Sequence, residues 1–111
     1  MKACVFCSGL GGQVPLARVY EDEQLLAFLD HRPVFPGHVL LIPKRHIVTL
    51  DELDPQEVPP LFELLKVLSR AVPLAMGGQG CFVANNNVVS QSVPHLHFHL
   101  LGRRQMGWPP G

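Results

Sequence analysis

Three histidines in the stretch Val93-Pro94-His95-Leu96-His97-Phe98-His99-Leu100-Leu101 alternate with apolar residues. A period of two is that of a β-strand. His95, His97 and His99 are therefore expected on one face, and Leu96, Phe98 and Leu100 on the other, in a core. Same-face side chains lie roughly 7 Å apart on a strand rising about 3.4 Å per residue. That spacing suits a row of imidazoles laid along a phosphate group better than three ligands on one metal. The outer face of an ordinary half-exposed strand carries Thr, Lys, Glu or Ser. Here it carries the one side chain that titrates near neutrality. A neutral imidazole is also a good nucleophile near pH 7, so the stretch reads as an active site.

A second pattern is Cys4-x-x-Cys7. By itself it is compatible with zinc, with redox work or with chance. Adding His46 and His95 makes a Cys2His2 set, matching the tetrahedral preference of Zn²⁺ for thiolate and imidazole. Spacing alone does not show that the four meet. The rival redox use lacks the βαβ pattern that surrounds thioredoxin-like motifs. The third cysteine, Cys81, sits in the apolar run Cys81-Phe82-Val83-Ala84 and reads as a buried core residue.

The elements that must position these groups follow from local pattern. Residues 18–21 and 25–29 read as two strands joined by the acidic turn Asp22-Glu23. Residues 33–37 form a loop, and 38–43 a buried strand ended by Pro43 and the basic pair Lys44-Arg45. Asp54-Pro55-Gln56-Glu57 supplies an N-cap, a proline at the first helical position and a capping-box acid. Leu61, Leu64, Leu65, Leu68 and Val72 then recur at helical spacing, with Glu63, Lys66 and Arg70 on the other side. Pro73 predicts a kink or fraying before Gly77-Gly78. Residues 80–85 read as a fourth strand and the histidine stretch as the fifth. Their hairpin would bring Asn85, Gln91 and Ser92 close to the start of the histidine row, as short polar groups placed for phosphate or a leaving group. Strands with one main helix inserted argue for an antiparallel α+β domain spanning residues 1–111.

Of 111 residues, 47% are apolar and 16% charged, which indicates a globular chain. Nine basic residues balance nine acidic ones, so there is no electrostatic footprint for nucleic acid or an anionic membrane. A small anionic ligand needs only local charge. No apolar run approaches a membrane span, and the N-terminus shows no signal-peptide h-region. A cytoplasmic protein with reduced thiols is expected.

The residues resemble the histidine triad (HIT) family of nucleotide hydrolases and transferases, whose H-φ-H-φ-H-φ-φ signature is matched by His95-Leu96-His97-Phe98-His99-Leu100-Leu101. Leu26-Ala27-Phe28-Leu29-Asp30 and the run from Pro36 to His46 look like the family's front half. The Gln91-Ser92-Val93 segment and the tail from Gly102 to Gly111 look like its histidine triad nucleotide-binding branch. That branch carries histidine in eukaryotic members where Gly107 stands here, and it usually lacks the two cysteines. A transferase branch carries glutamine at the third triad position, so His99 favours hydrolysis over transfer.

The resemblance implies a HIT-like antiparallel five-stranded sheet with one main helix and a short one. It also implies attack of the middle histidine, His97, on the α-phosphate of a purine nucleotide, giving a nucleotidyl-histidine that water resolves. Under it, His99 and His38 converge from neighbouring strands to hold phosphoryl oxygens or supply a proton, and a main-chain carbonyl in the triad strand fixes the His97 tautomer. Asp30 would accept from the ribose hydroxyls, and Val5, Phe6, Phe28 and Leu29 lie in segments that could wall a purine pocket. As plain core residues they read equally well, with Leu29 the most inward-pointing. Cys4, Cys7, His46 and His95 would hold a structural zinc. The implied assembly is a two-fold homodimer in which Trp108 reaches the leaving-group side of the partner's substrate. Two alternatives stay open: a dinucleoside polyphosphate hydrolase, or a zinc-stabilised nucleotide-binding interaction module with little turnover.

Overall fold

The computed structural model describes residues 4–13, 15–30 and 37–103. A short helix α1 (Val5–Leu10) is followed by strands β1 (Ala17–Glu21), β2 (Leu25–Leu29) and β3 (Val39–Pro43). Two 3-10 turns, Leu50–Glu52 and Pro55–Glu57, lead into the main helix α2 (Val58–Met76), and β4 (Gly80–Ala84) and β5 (Phe98–Arg103) complete the fold. The five strands form one antiparallel sheet in the order β1-β2-β3-β5-β4. This is the expected α+β architecture, with one main helix and one short one.

Alternation along the strands gives the sheet two apolar faces. Ala27, Val39, Leu41, Leu96, Phe98 and Leu100 pack under Leu61, Leu65, Leu68 and Val72 of α2. On the other face Leu26, Phe28, Leu40 and Ile42 pack with Cys4 and Phe6, which bring α1 onto the sheet. β3 is the central strand and is buried throughout, and the histidines lie on or beside it and its neighbour β5.

The expected capping box forms one turn early, on the 3-10 turn Pro55–Glu57, while α2 follows Glu57 with no side-chain cap. The Asp54 N–H donates to Glu57 Oε1 at 2.9 Å, closing the box that opens the 3-10 turn before the helix. Arg45 grips the same carboxylate with Nη2 and Nε at 2.6 and 3.1 Å, which holds Glu57 below the usual carboxylate range. Pro59 and Pro60 fall in the first turn of α2, where no helical N–H bond is lost. Pro73 behaves differently from the expectation: α2 runs through it to Met76 and ends on Gly77 at φ +70°. Tertiary packing explains this, since Pro73 is buried against β5 and the Gly78 N–H returns to the Pro73 carbonyl at 2.8 Å.

The fifth strand also begins later than the alternation suggested, at Phe98. Pro94 has no N–H to donate. The Leu96 N–H bonds the Ile47 carbonyl, and the His97 carbonyl accepts from Asn85 Nδ2 at 2.8 Å. Residues 95–97 thus keep the facing of a strand while their backbone bonds go outside the ladder. Cys81 is half-buried against the α2 side of the core, and not fully enclosed as expected, because β4 is an edge strand.

Close approach of β5 to α2 depends on Gly102, where a Cβ would stand 3.1 Å from Pro73 Cα and 3.4 Å from the Val72 carbonyl oxygen. Gly102→Val should therefore destabilise the protein by about 1–3 kcal/mol in urea denaturation, the usual cost of overpacking against backbone. Gly80→Ala, whose Cβ meets open space, serves as the comparison and should leave the midpoint nearly unchanged.

Candidate functional site

Antiparallel pairing of β3 with β5, in the register Leu40 opposite His99, sets His38 beside the histidine row. His38 Nε2 lies 2.9 Å from His99 Nδ1, and His38 Nδ1 lies 3.4 Å from Asp30 Oδ2. The pairing of β2 with β3 fixes that carboxylate, because the Asp30 N–H donates to the His38 carbonyl at 2.9 Å. A proton on His38 Nδ1 faces Asp30, so His38 Nε2 accepts from His99 Nδ1–H. Burial keeps both rings neutral at pH 7. It pushes His38 below the ordinary imidazole range against the pull of Asp30, and lowers His99 to about 4 with help from the neighbouring His97 and His38.

His97 is 1% exposed. Its Nδ1 lies 2.7 Å from the carbonyl oxygen of His95, an acceptor only, so Nδ1 carries the proton and Nε2 carries the lone pair. Edge-to-face contacts hold the ring in place, with Phe6 at 5.2 Å and His99 at 4.9 Å between centroids. Asn85 reaches the row through the His97 main-chain carbonyl. Gln91 is used at both ends of its amide, donating to the Val48 carbonyl at 2.6 Å and accepting from the Val88 N–H at 3.0 Å, so it braces the loop. Ser92 is exposed on the same loop.

Next to the row, a cavity of about 440 Å³ is lined by Val5, Phe6, Leu16, Phe28, Leu29 and Asp30, among others. Leu29 was expected to point inward, yet it is 42% exposed, at the strand's end where it borders both this cavity and one against Leu68 and Val72 of α2; Phe28 is the buried one. The strand's period explains the exchange, since Phe28 shares the face of Leu26. Sequence reasoning did not find Leu16 or the helical state of residues 5–10. The available signal for the helix was Cys4 itself, whose thiol caps the Cys7 N–H.

The second constellation converges. The ligand atoms of Cys4, Cys7, His46 and His95 all lie within 4.8 Å of one another. Cys4 Sγ and Cys7 Sγ stand 3.5 and 3.6 Å from His95 Nδ1, and Cys7 Sγ stands 3.1 Å from His46 Nδ1. A tetrahedral site with metal–sulfur bonds of about 2.3 Å and metal–nitrogen bonds of about 2.05 Å needs sulfur and nitrogen about 3.5 Å apart. The donor set fits. His95 Nε2 donates to the Pro43 carbonyl at 2.7 Å, which leaves Nδ1 as the lone-pair nitrogen turned to the thiols. The four residues could hold a metal ion. Trp108 and the rest of the tail lie outside the described residues.

The HIT domain model matches residues 11–106. The chain belongs to the HIT family. This HIT protein is 32% identical to the adenosine 5′-monophosphoramidase hnt1 of Schizosaccharomyces pombe, over 96% of its own length and 84% of that protein's. Its fold superposes on a crystal structure of a Bacillus subtilis HIT protein with a TM-score of 0.88 at 37% identity, covering 95% and 76% of the two chains. A zinc-bound histidine triad protein of Mycobacterium smegmatis gives 0.86 at 36% identity, covering 96% and 78%. Among the described residues no helix is long and apolar enough to cross a membrane.

The depressed histidines of this HIT protein set the sign of its acid response. An unfolded chain takes up imidazole protons near pH 6.5, while folded His99 resists until about pH 4. Between these values the unfolded state binds more protons, so stability should fall as pH drops through that window. Urea midpoints measured from pH 7.5 to 4.5 should decline, with a smaller slope for His99→Gln. An equal slope in the variant would contradict the assignment.

Proposed function

We propose that this chain is a nucleotide hydrolase of the phosphoramidase type, acting on a purine nucleoside monophosphate amide or ester. The observation that carries this is the 2.7 Å bond from His97 Nδ1 to the His95 carbonyl, which presents Nε2 as a nucleophile in a dry site. In the first step His97 Nε2 forms a bond to the α-phosphorus, the bond to the leaving nitrogen or oxygen breaks, and the leaving group takes a proton. In the second, water attacks the nucleotidyl-histidine and restores the imidazole. Two easier displacements replace one hard one.

The remaining groups receive roles by position. Asp30, at the mouth of the cavity, would accept from the ribose hydroxyls, and Val5, Phe6, Phe28 and Leu29 would enclose the base. His99 and His38, joined to each other and to Asp30, would relay protons to and from the reacting groups. Ser92 and Asn85 would serve the leaving-group side, with Gln91 holding their loop. Trp108 is assigned to that side by resemblance alone. The monophosphoramidase relative supports an amide substrate over a dinucleoside polyphosphate.

Zinc is the metal we assign to Cys4, Cys7, His46 and His95. Soft thiolates with imidazoles select it, and four protein ligands make it structural. The reduced thiols it requires agree with a cytoplasmic location. Residues 1–111 would act as one HIT domain within a homodimer. The exposed Phe82 and Val83 on the β4 edge and Val67 on α2 offer apolar surface for the second copy.

His97→Ala should lower turnover of an adenosine phosphoramidate by several orders of magnitude while AMP affinity changes much less. Near-wild-type turnover in that variant would remove the covalent mechanism. Comparing that substrate with diadenosine polyphosphates separates the two hydrolase alternatives. Purified protein should carry about one zinc per chain, with two sulfur and two nitrogen ligands by X-ray absorption. Zinc-free preparations containing a Cys4–Cys7 disulfide in reducing buffer would defeat the metal assignment.

A further inference from the structure

Helix α1 belongs to both constellations at once. Cys4 caps it and Cys7 sits in its first turn, so two of the four metal-binding side chains lie on six residues of helix and its cap. Val5 and Phe6, between those cysteines, line the cavity beside the histidine row. The Phe6 ring stands edge-on to three others, with centroids 5.4 Å from Phe28, 5.9 Å from His95 and 5.2 Å from His97. One aromatic side chain therefore touches a metal-ligating histidine, the nucleophile position and the cavity wall.

We propose that Phe6 is a positioning residue that couples metal binding to nucleotide binding, so that each raises the affinity for the other. The inference rests on the nucleotide reading of the cavity. A helix of six residues does not hold itself together in water, and α1 owes its place to burial of Cys4 and Phe6 and to the cysteine–histidine cluster. Without metal the cluster offers only weak thiol–imidazole contacts of 3.1–3.6 Å. Four metal–ligand bonds would fix both ends of the Cys4–Cys7 turn and hence the ring between them. A nucleotide entering a cavity whose wall is already ordered avoids that ordering cost, which appears as positive cooperativity. Reciprocity follows from linkage: a bound nucleotide must tighten the metal site by the same factor.

The test measures AMP affinity by calorimetry on zinc-loaded and zinc-depleted protein, and zinc affinity by chelator competition with and without AMP. A coupling of about tenfold in both directions is expected, within the range of about 5–150-fold usual for linked sites. The second arm starts from the zinc-loaded protein, so it decides the matter even if the depleted protein unfolds. Phe6→Leu should keep its zinc yet bring the coupling factor close to one, because the edge-on contacts to His95, His97 and Phe28 are lost. Equal affinities in both arms of the wild type overturn the coupling. Undiminished coupling in Phe6→Leu overturns the role of Phe6. If the zinc-loaded protein binds no AMP, the nucleotide reading fails and this inference falls with it, a result distinct from binding that zinc leaves unchanged.

Discussion

A single main-chain carbonyl, that of His95, decides what the histidine row can do. It accepts from His97 Nδ1 at 2.7 Å and so leaves the lone pair on Nε2. The imidazole of the same residue turns its Nδ1 to the thiols of Cys4 and Cys7, held there by its Nε2 bond to the Pro43 carbonyl. Backbone and side chain of His95 thus serve two different constellations. Neither works unless residues 95–97 keep the facing of a strand while leaving the ladder, and Pro94 and Asn85 make that departure possible.

Desolvation keeps His38 and His99 neutral, and the Asp30 carboxylate only partly opposes it at His38. Uncharged His38 and His99 are a poor resting place for an isolated anion. That neutrality costs stability in acid.

Much of this arrangement is legible in the residues before any coordinates. The two-residue period of the triad gives the correct faces, Leu96, Phe98 and Leu100 against α2 and the histidines opposite. The capping box at Asp54 and Glu57 marks the entry to the main helix. What escapes sequence reasoning is decided by contacts distant in the chain. Pro73 stays helical because Gly102 lets β5 lie against it, and no local propensity carries that information. The exchange of Phe28 and Leu29 is a one-residue question of facing, settled by the register of β2 on β3. Convergence of Cys4 and Cys7 with His46 and His95 spans up to 91 positions, and composition can name the ligands without joining them.

Placing the short helix at the N-terminus has a consequence for how the domain divides its labour. The α2 face of the sheet is a continuous apolar layer and needs no help to close. Among the described residues the opposite face is covered by Cys4, Phe6, Cys7, Leu10, Leu16 and Val93, with the histidines beside them. A layer that thin encloses a binding cavity because it does not fill the space above Phe28 and Leu40. The main helix and the histidines thus lie on opposite faces of one sheet. The face that folds the chain is supplied by a nineteen-residue helix. The other depends on a helix of six residues, anchored over His97 by Phe6 and by the cluster of thiols and imidazoles.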